Sequence, residues 1–304
     1  MNLRIKNKKD SGDIMTNLYD LQKLFSEEVL INLAEGIEDK LVQKSYLNYN
    51  MNSFSKLYDF VFSEFSKKYR NDLFYRNLIA TKIFLSRHSL DKSVLINELR
   101  IGKSKADLVI LNGSSTAYEI KSDVDNLDKL DKQLQDYLRV FDFTYVVIAE
   151  ENATKLVSIL PAKVGLISLT PKNTFKTIIK ATSNKDYVDP DTIFRSLRIN
   201  EYKSIIKKEF KFIPDVPNTR IFFECNKLFC ELSPQTAHNE FVKVIKKRIK
   251  YSSSLKENVK KYPISLRHNI LRSDFNDSQI ANLLRQLEKE RSTNVFPVSK
   301  RQTI

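Results

Sequence analysis

A run of short apolar segments between residues 93 and 169 constrains the fold of this chain more than any other part of its sequence. The segments are rich in β-branched residues, and turn signals at Gly102-Lys103 and Asn112-Gly113 separate the first three. Segments of this length and composition predict β-strands, and turns this short join antiparallel neighbours. The sequence predicts strands over 94–99, 106–111, 116–120, 144–149 and 164–169, and a helix over 126–140.

Both flanks of this strand-rich unit have helical periodicity. Apolar residues recur at intervals of three and four over 14–36, and a second helical stretch runs over 53–86. Beyond Pro171 the pattern is again helical. We therefore expect an α/β fold of the α+β kind, in which helices flank a mixed sheet. The expected regions are a helical N-terminal region (1–68), a sheet-containing core (69–170) and a basic helical C-terminal region (171–304).

Positive charge is concentrated towards the C-terminal end of the sequence. The chain carries 51 Lys+Arg and 37 Asp+Glu, a net charge of +14. Residues 241–304 hold 15 basic and 5 acidic side chains, whereas residues 91–165 hold 10 and 12. A local excess of this kind favours a polyanionic partner, although an ordinary solvated helix face has the same pattern. We expect five side chains to contact the phosphates of a nucleic acid: Lys243, Lys246, Lys247, Arg248 and Lys250.

The composition argues against several other classes of protein. No apolar run approaches the roughly 18 to 20 residues that span a bilayer, and we expect neither a signal peptide nor a membrane partner. Two cysteines cannot build a disulfide scaffold, so the cytoplasm is the expected location. Cys225, Cys230 and His238 lack the spacing of a zinc site and are expected to pack in the core. The five glycines form no P-loop motif.

Three acids and a lysine in the strand-rich unit form the candidate site. Glu119 and Lys121 are two residues apart in one predicted strand, so their side chains project from the same face. A three-residue loop between the second and third strands pairs Asp107 with Glu119. A two-residue turn between the first and second strands pairs Glu98 with Asp107. The three acids then form one row across three strands.

Carboxylates aligned in this way repel each other in a sheet. A hard divalent cation relieves the repulsion, and Mg²⁺ binds through one or two carboxylates together with waters and substrate phosphate. We therefore expect Glu98, Asp107 and Glu119 to hold Mg²⁺ or Mn²⁺. Lys121 is then placed to orient an attacking water or to neutralise charge that develops on a phosphate.

The same residues carry a resemblance to a known superfamily. Ala106 and Asp107, an eleven-residue interval and then Glu119-Ile120-Lys121 resemble the signature of the PD-(D/E)xK nucleases. The resemblance implies a restriction-endonuclease-like core in which the acids hold the metal and the lysine assists hydrolysis. Position 106 is Ala where the signature has Pro, which leaves the metal-ligand argument unchanged.

The predicted helix after the third strand extends this resemblance. Its Gln133 and Tyr137 are similar to the Q-xxx-Y element of RecB-like members, which implies that both side chains lie near the site. The stretch 69–147, with EIKSD at 119–123, resembles a family of uncharacterised bacterial proteins predicted to be such nucleases. The structural alternative for Gln133 and Tyr137 is a half-buried helix seam, since residues four apart share a helix face.

The identity of the first acid stays open in the sequence. In the superfamily this residue often comes from the helix before the first strand, which makes Asp72 and Glu64 alternatives to Glu98. The strand register favours Glu98.

Taken together, these features predict a metal-dependent nuclease that hydrolyses phosphodiester bonds in DNA, in bacterial DNA repair or anti-phage defence. The alternative is a non-catalytic module that keeps the nuclease fold and binds nucleic acid or a protein partner. A homo-oligomer and a partner protein from a defence system are both compatible with the sequence.

Overall fold

The sheet at the centre of the fold has six strands, whose spatial order follows the chain. The structure, a computed structural model, describes residues 18–122 and 125–290. The strands are β1 (Val94–Ile101), β2 (Ser104–Leu111), β3 (Ser115–Lys121), β4 (Phe143–Ala149), β5 (Gly165–Leu169) and β6 (Phe175–Ile179). Strands β1 to β3 are antiparallel, β3 to β5 are parallel, and β6 is antiparallel to β5. The sheet is therefore mixed, as the sequence predicts.

Both predicted hairpins have the expected loop lengths. The β1–β2 turn closes at the pair Ile101 and Ser104, and three residues connect Leu111 to Ser115 in the β2–β3 loop. Gly102 has φ +57°, a left-handed value that glycine adopts without steric cost. The turn signals in the sequence therefore set the register of these strands.

The predicted row of Glu98, Asp107 and Glu119 lies where the pairing of β1 with β2 is irregular. The strand pairs on either side of Glu98 and Asp107 place these two residues opposite each other. The pair Leu108 and Tyr118 places Asp107 opposite Glu119. Glu98 has φ +56°, in the left-handed region that residues other than glycine rarely adopt. The predicted register is confirmed, but the backbone of β1 departs from an ideal strand at Glu98.

Two elements were not predicted from the sequence. β6 lies beyond Pro171, where the pattern indicated helix, and that expectation is wrong over these residues. The three central side chains of β6 are exposed, so the strand lacks the apolar run that identifies the others. A helix over Glu150–Val157 connects β4 to β5, since parallel strands need a crossover. The sheet therefore extends past residue 170.

Helices form the two outer layers. In the described ranges they are α1 (Glu27–Glu35), α2 (Lys40–Asn48), α3 (Phe54–Lys68), α4 (Asp72–Ile79), α5 (Leu130–Leu138), α6 (Glu150–Val157), α7 (Pro190–Arg195), α8 (Ile199–Phe210), α9 (Asn218–Cys230), α10 (Pro234–Lys246), α11 (Ser253–Asn258), α12 (Ile264–Arg272) and α13 (Asp277–Glu288). A π-helical turn over Ala80–Phe84 and a last turn to Arg87 continue α4. None of the helices in residues 18–122 and 125–290 has both the length and the apolar character that a bilayer crossing needs.

Capping residues divide the two long helical stretches that the sequence predicts in the N-terminal region. Ser26 interrupts the first stretch, and its hydroxyl accepts from the backbone N–H of Val29 at the start of α1. Asn71 interrupts the second stretch and accepts from the N–H of Phe74 at the start of α4. Side chains of this kind satisfy N–H groups that a helix start leaves unpaired. Residues 14–17 of the first stretch lie outside the described residues.

One face of the sheet is covered by helices from distant parts of the sequence. Helices α1 to α4 pack together with α11 to α13. Leu57, Phe65 and Leu283 belong to one apolar core with Leu108 and Ile120 of the sheet. The N-terminal helices and the last helices described therefore form a single layer.

The other face is covered by α5 to α10. Leu134, Phe194 and Phe241 belong to a second apolar core with Val109 and Val146 of the sheet. Residues after 171 therefore contribute to both helical layers, and the sheet lies between them as the middle layer.

Gly165 begins β5 at a place where a side chain has no room. A Cβ atom there would lie 2.3 Å from Cε1 of Tyr145 and 2.7 Å from the backbone nitrogen of Ala181. We expect Gly165→Ala to lower the free energy of unfolding by about 3 kcal/mol, because a ring and a backbone segment must both move. Chemical denaturation measures the difference, with the exposed Lys172→Ala as a control expected within about 0.5 kcal/mol of wild type. Equal stability of Gly165→Ala and wild type would contradict this packing.

Candidate functional site

The C-terminal half of β3 carries the centre of the candidate site. Glu119 and Lys121 project from one face of the strand, and Nζ of Lys121 lies 3.0 Å from Oε1 of Glu119. Nζ also donates to Oε1 of Gln133 at 2.9 Å. Both strand residues are buried, with 2% of Glu119 and 7% of Lys121 exposed. A carboxylate and an ammonium removed from water are retained as ions only when each compensates the charge of the other.

Helix α5 packs over these side chains and contributes Gln133 and Tyr137, which lie one turn apart. The hydroxyl of Tyr137 donates to Oε2 of Glu119 at 2.7 Å and lies 2.9 Å from the carbonyl oxygen of Lys105. Burial, followed by the charge of Glu119, raises the pKa of Tyr137, so its hydroxyl remains a hydrogen-bond donor. The two predicted helix residues thus contact the two predicted strand residues.

Asp107 of β2 lies beside this group and is held by two donors. Its Oδ2 accepts from the backbone N–H of Ile120 at 2.9 Å, and its Oδ1 accepts from Nη2 of Arg76 at 3.0 Å. Nη1 of Arg76 also donates to the carbonyl oxygen of Asp107 at 2.8 Å. The side chain of Asp107 is therefore fixed between β3 and α4.

Arg76 is a residue of this site that the sequence reasoning missed. It is 8% exposed, its Nε donates to Asp72, and its Nη2 lies 4.0 Å from Oε1 of Glu98. Asp72, Glu98 and Asp107 therefore surround one buried guanidinium. The available signal was a basic residue four positions after Asp72 in a helix with apolar neighbours, a spacing that allows an ion pair.

Burial raises the pKa of both central carboxyl groups. Burial and then the charge of Glu119 raise the pKa of Asp107 to about 7. The pKa of Glu119 is also raised by burial, although Lys121 and Tyr137 oppose the shift. The raised pKa values show that the surroundings do not fully stabilise two ionised carboxylates at these neighbouring positions. An additional cation would compensate this charge.

The remaining predicted acids lie at the rim of the site. The side chain of Glu98 is 53% exposed and accepts from Nζ of Lys105 at 2.6 Å, a hydrogen bond that lowers the pKa of Glu98. Asp72 is half-exposed, and Glu64 is bonded to two lysines of its own helix. Within residues 18–122 and 125–290, no three His, Cys, Asp or Glu side chains are grouped to hold a metal ion. A third metal ligand therefore stays a prediction.

Asp107 and Glu119 nevertheless suit a hard divalent cation. Mg²⁺ binds in many sites through one or two carboxylates and takes its other ligands from water and substrate phosphate. Each of the four carboxylate oxygens accepts from one N–H or O–H donor. Because an ionised carboxylate has about four lone-pair sites, each oxygen keeps a site for a cation. The ionised carboxylates would supply the oxygen ligands that Mg²⁺ or Mn²⁺ prefers, and a bound cation would in turn favour their ionised form.

The predicted basic cluster lies on α10 and directly after it. Lys243, Lys247 and Lys250 are exposed. Nζ of Lys243 lies 2.6 Å from Oε1 of Glu240, and Nζ of Lys246 donates to the carbonyl oxygen of Lys92 at 2.6 Å. The lysines therefore form a solvated surface that can meet phosphates.

Arg248 differs from the lysines of this cluster because it is engaged in the fold. Its Nε and Nη2 each lie 2.6 Å from a carboxylate oxygen of Glu201, and Nη2 also donates to the carbonyl oxygen of Ser196. Its side chain is largely buried. The predicted phosphate contact of Arg248 would require this ion pair to break, which is costly for a desolvated pair.

The basic cluster and the acid site lie at different ends of β1. Lys246 contacts Lys92, which precedes the strand, whereas Glu98 lies in the second half of the strand. Six residues of extended chain span about 20 Å. A nucleic acid bound at the lysines would have to extend over that distance to reach the acids.

Two of the three residues expected to pack in the core do so. Cys225 and His238 are buried, and Nε2 of His238 lies 2.7 Å from Oγ of the buried Ser115. Burial lowers the pKa of His238 to about 4, so the imidazole is neutral at pH 7. The same expectation is wrong for Cys230, which is exposed.

Comparison with known proteins relates most of this chain to a phage protein. The family profile described as bacteriophage P4 protein cII matches residues 65–277. Protein cII of Enterobacteria phage P4 is 34% identical over 96 residues, which are 30% of this chain and 36% of that protein. The chain thus spans about a third of the length of that curated relative.

A solved structure is also similar in part, namely the SPO1766 protein of unknown function from Silicibacter pomeroyi. It is 16% identical and has a TM-score of 0.27, over 42% of this chain and 87% of that chain. A score this low does not establish a common fold. The family match, in contrast, covers more than half of the chain and includes every site residue from Arg76 to Tyr137. The chain therefore belongs to the bacteriophage P4 protein cII family.

Proposed function

We propose that this protein is a metal-dependent nuclease that hydrolyses phosphodiester bonds in DNA. The observation that carries the proposal is the buried group of Asp107, Glu119 and Lys121, in which two carboxyl groups have raised pKa values beside a buried ammonium. Perturbed, buried titratable groups of this kind are concentrated at catalytic sites. Their order in the sequence is that of the PD-(D/E)xK signature.

Asp107 and Glu119 would hold Mg²⁺ or Mn²⁺, with Glu98 as the proposed third acid. A divalent cation at such a site supplies charge for the phosphate and lowers the pKa of a bound water. The protein's own part is to fix these carboxylates, through Arg76 and the Ile120 N–H for Asp107 and through Tyr137 for Glu119.

Lys121 has a separate part in this proposal. Its ammonium has three N–H donors, and Glu119 and Gln133 lie within hydrogen-bond distance of Nζ. The remaining N–H can hold the attacking water or stabilise charge on a phosphate oxygen. Gln133 thus positions Lys121, and Tyr137 positions Glu119.

In this proposal, DNA binds through attraction between exposed lysines and its phosphates. The exposed lysines of α10 and its C-terminal extension suit phosphate contacts without sequence specificity. We assign the activity to the cytoplasm of a bacterial cell, in repair or in defence against phage. Assembly with a second copy or with a defence partner is compatible with this assignment.

A second candidate function is a module that binds nucleic acid without cleaving it. One observation favours it: each carboxylate oxygen of Asp107 and Glu119 already has a hydrogen-bond donor, so the group is stable as an ion-pair network. In that case the acids would serve the fold, and the lysines of α10 would serve binding.

A cleavage assay with a neutral variant of Asp107 tests the proposal. We expect the wild type to cleave DNA with Mg²⁺ or Mn²⁺ and to be inactive with EDTA. Asp107→Asn should reduce the rate by at least about 10²-fold, because it removes one of the two central carboxylates proposed to hold the metal. The control is Asp131→Asn, an exposed acid of α5, which should cleave as the wild type does.

The same assay separates the two functions. Absence of cleavage on duplex and single-stranded DNA with either metal would overturn the nuclease proposal. Salt-dependent DNA binding by that inactive protein would then support the binding module. Equal cleavage by Asp107→Asn and wild type would exclude Asp107 from the reaction.

A further inference from the structure

A cavity of about 370 Å³ opens beside the acid site and shares three side chains with it, Asp72, Arg76 and Glu98. Its other walls come from residues 19–26 and from α12. The volume lies in the range of pockets that enclose small organic ligands. A group bound in this cavity would therefore lie next to whatever the acid site holds.

Two cations line the cavity besides Arg76. The acids Asp72 and Glu98 are shared with the acid site, whereas Lys23 and Arg272 belong to the other walls. Lys23 is paired with an exposed aspartate at 2.8 Å, and Arg272 lies 3.7 Å from an exposed glutamate. Exposed ion pairs of this kind are weak, so both cations can turn to a phosphate.

An aromatic side chain, Tyr19, lines the cavity beside Lys23. Tyr19 is 65% exposed, and Nζ of Lys23 lies 5.9 Å from the centre of its ring. An exposed ring beside a cation is the combination on which bases of single strands stack while their phosphates are neutralised. Tyr19, Lys23 and Arg272 thus have the chemistry of a binding surface for one strand.

Polar groups complete the lining. Nε2 of His268 and Oδ1 of Asn97 are hydrogen-bonded to each other, and burial lowers the pKa of His268 so that it stays neutral. His268 is only 3% exposed and its Nε2 is engaged, so the half-buried amide of Asn97 is the group that can offer an N–H to the edge of a base. The cavity therefore suits a flat polar ring followed by a phosphate.

We propose that the cavity receives an unpaired base of single-stranded DNA, next to the phosphodiester at Asp107 and Glu119. Tyr19 stacks on the base, and Lys23 and Arg272 contact the adjoining phosphates. The inference rests on the proposed function, because it takes the scissile phosphate as the neighbouring group. A base in a duplex is stacked and paired and enters such a pocket only by leaving the helix. The substrate class is therefore a single strand or an unpaired end.

Binding measured without cleavage tests this assignment. Asp107→Asn protein in EDTA is titrated into a fluorescein-labelled single-stranded oligonucleotide and into a duplex of the same length, with anisotropy as the readout. We expect Tyr19→Ala and Arg272→Gln, each added to Asp107→Asn, to weaken single-strand binding about tenfold and to leave duplex binding unchanged. Both residues are exposed, and circular dichroism verifies that the variants fold.

Lys247→Gln is the matched control, because it removes an exposed cation from the distant lysine cluster. It should weaken binding of both DNA forms to the same small extent. Unchanged single-strand binding by Tyr19→Ala and Arg272→Gln, or equal losses for both DNA forms, would overturn the cavity assignment. Since no cleavage is measured, an inactive enzyme with these selective losses would contradict the nuclease proposal alone.

Discussion

Lys121→Met is expected to lower the rate of Mg²⁺-dependent cleavage by about 10²- to 10³-fold in a protein that still folds but is less stable, because the buried Glu119 loses its cation. Methionine has a similar length and fills the same buried space, but it removes the ammonium that lies between Glu119 and Gln133. The attacking water or the phosphate then loses its positively charged donor. Single-turnover cleavage at saturating metal measures the rate, and thermal unfolding reports on the fold.

Metal titration gives this experiment its specificity. Asp107 and Glu119 are intact in Lys121→Met, so the variant should still bind Mn²⁺, whereas Asp107→Asn should bind it more weakly. Lys129→Met is the control, because this exposed lysine precedes α5 and lies outside the hydrogen-bonded group. A Lys121→Met protein that cleaves within about threefold of the wild-type rate would remove Lys121 from the mechanism.

Arg76→Met should lower the free energy of unfolding by about 3 kcal/mol at pH 8. The substitution leaves the buried carboxylate of Asp107 without its cation, and Asp72 and Glu98 lose the same partner. Urea denaturation measures the loss. Arg87→Met, at an exposed residue in the last turn of the segment that continues α4, should change stability by less than about 0.5 kcal/mol.

The pH dependence of this loss has a definite sign. The pKa of Asp107 is about 7 in the folded protein, above its ordinary value, so protonation favours the folded state. In the wild type the loss of stability with increasing pH ends near this pKa; without Arg76 the pKa rises further, so the loss continues above pH 7 until the new pKa is reached. The deficit of Arg76→Met should therefore be larger at pH 8 than at pH 6.

A double substitution identifies the cause of the deficit. Arg76→Met combined with Asp107→Asn removes both ions of the pair, which costs much less than removing one. We expect the double variant to recover most of the lost stability, and Mg²⁺ to recover part of it in the single variant. Loss of stability in the double variant equal to that of Arg76→Met would assign the effect to packing instead of charge.

The strand-rich part of the fold was predictable because its signals are local. Turn residues at Gly102 and Asn112-Gly113 determine two loop lengths, and the loop lengths determine which residues face each other. β6 has exposed central side chains and carries no such signal. Its place at the sheet edge depends on its neighbour β5, which a local pattern does not report.

The contacts of the site likewise divide into local ones, which the sequence predicts, and long-range ones, which it does not. The grouping of Glu119 with Lys121 follows from strand alternation, and that of Gln133 with Tyr137 follows from the helix period. Arg76 reaches Asp107 across 31 residues of sequence, and Arg248 reaches Glu201 across 47. Contacts at these separations depend on how whole layers dock. Sequence spacing therefore could not distinguish the buried Arg248 from its exposed lysine neighbours.

The shared layer of α1 to α4 with α11 to α13 has a consequence for the order of events during translation. The early helices leave the ribosome while their packing partners, which begin at Ser253, are still about 170 residues away from synthesis. At a translation rate of roughly 5 to 20 residues per second, the apolar faces of these helices stay exposed for about ten to thirty seconds before their partners are made. The opposite layer, α5 to α10, is complete before then. Chaperone capture during that interval would thus concentrate on α1 to α4.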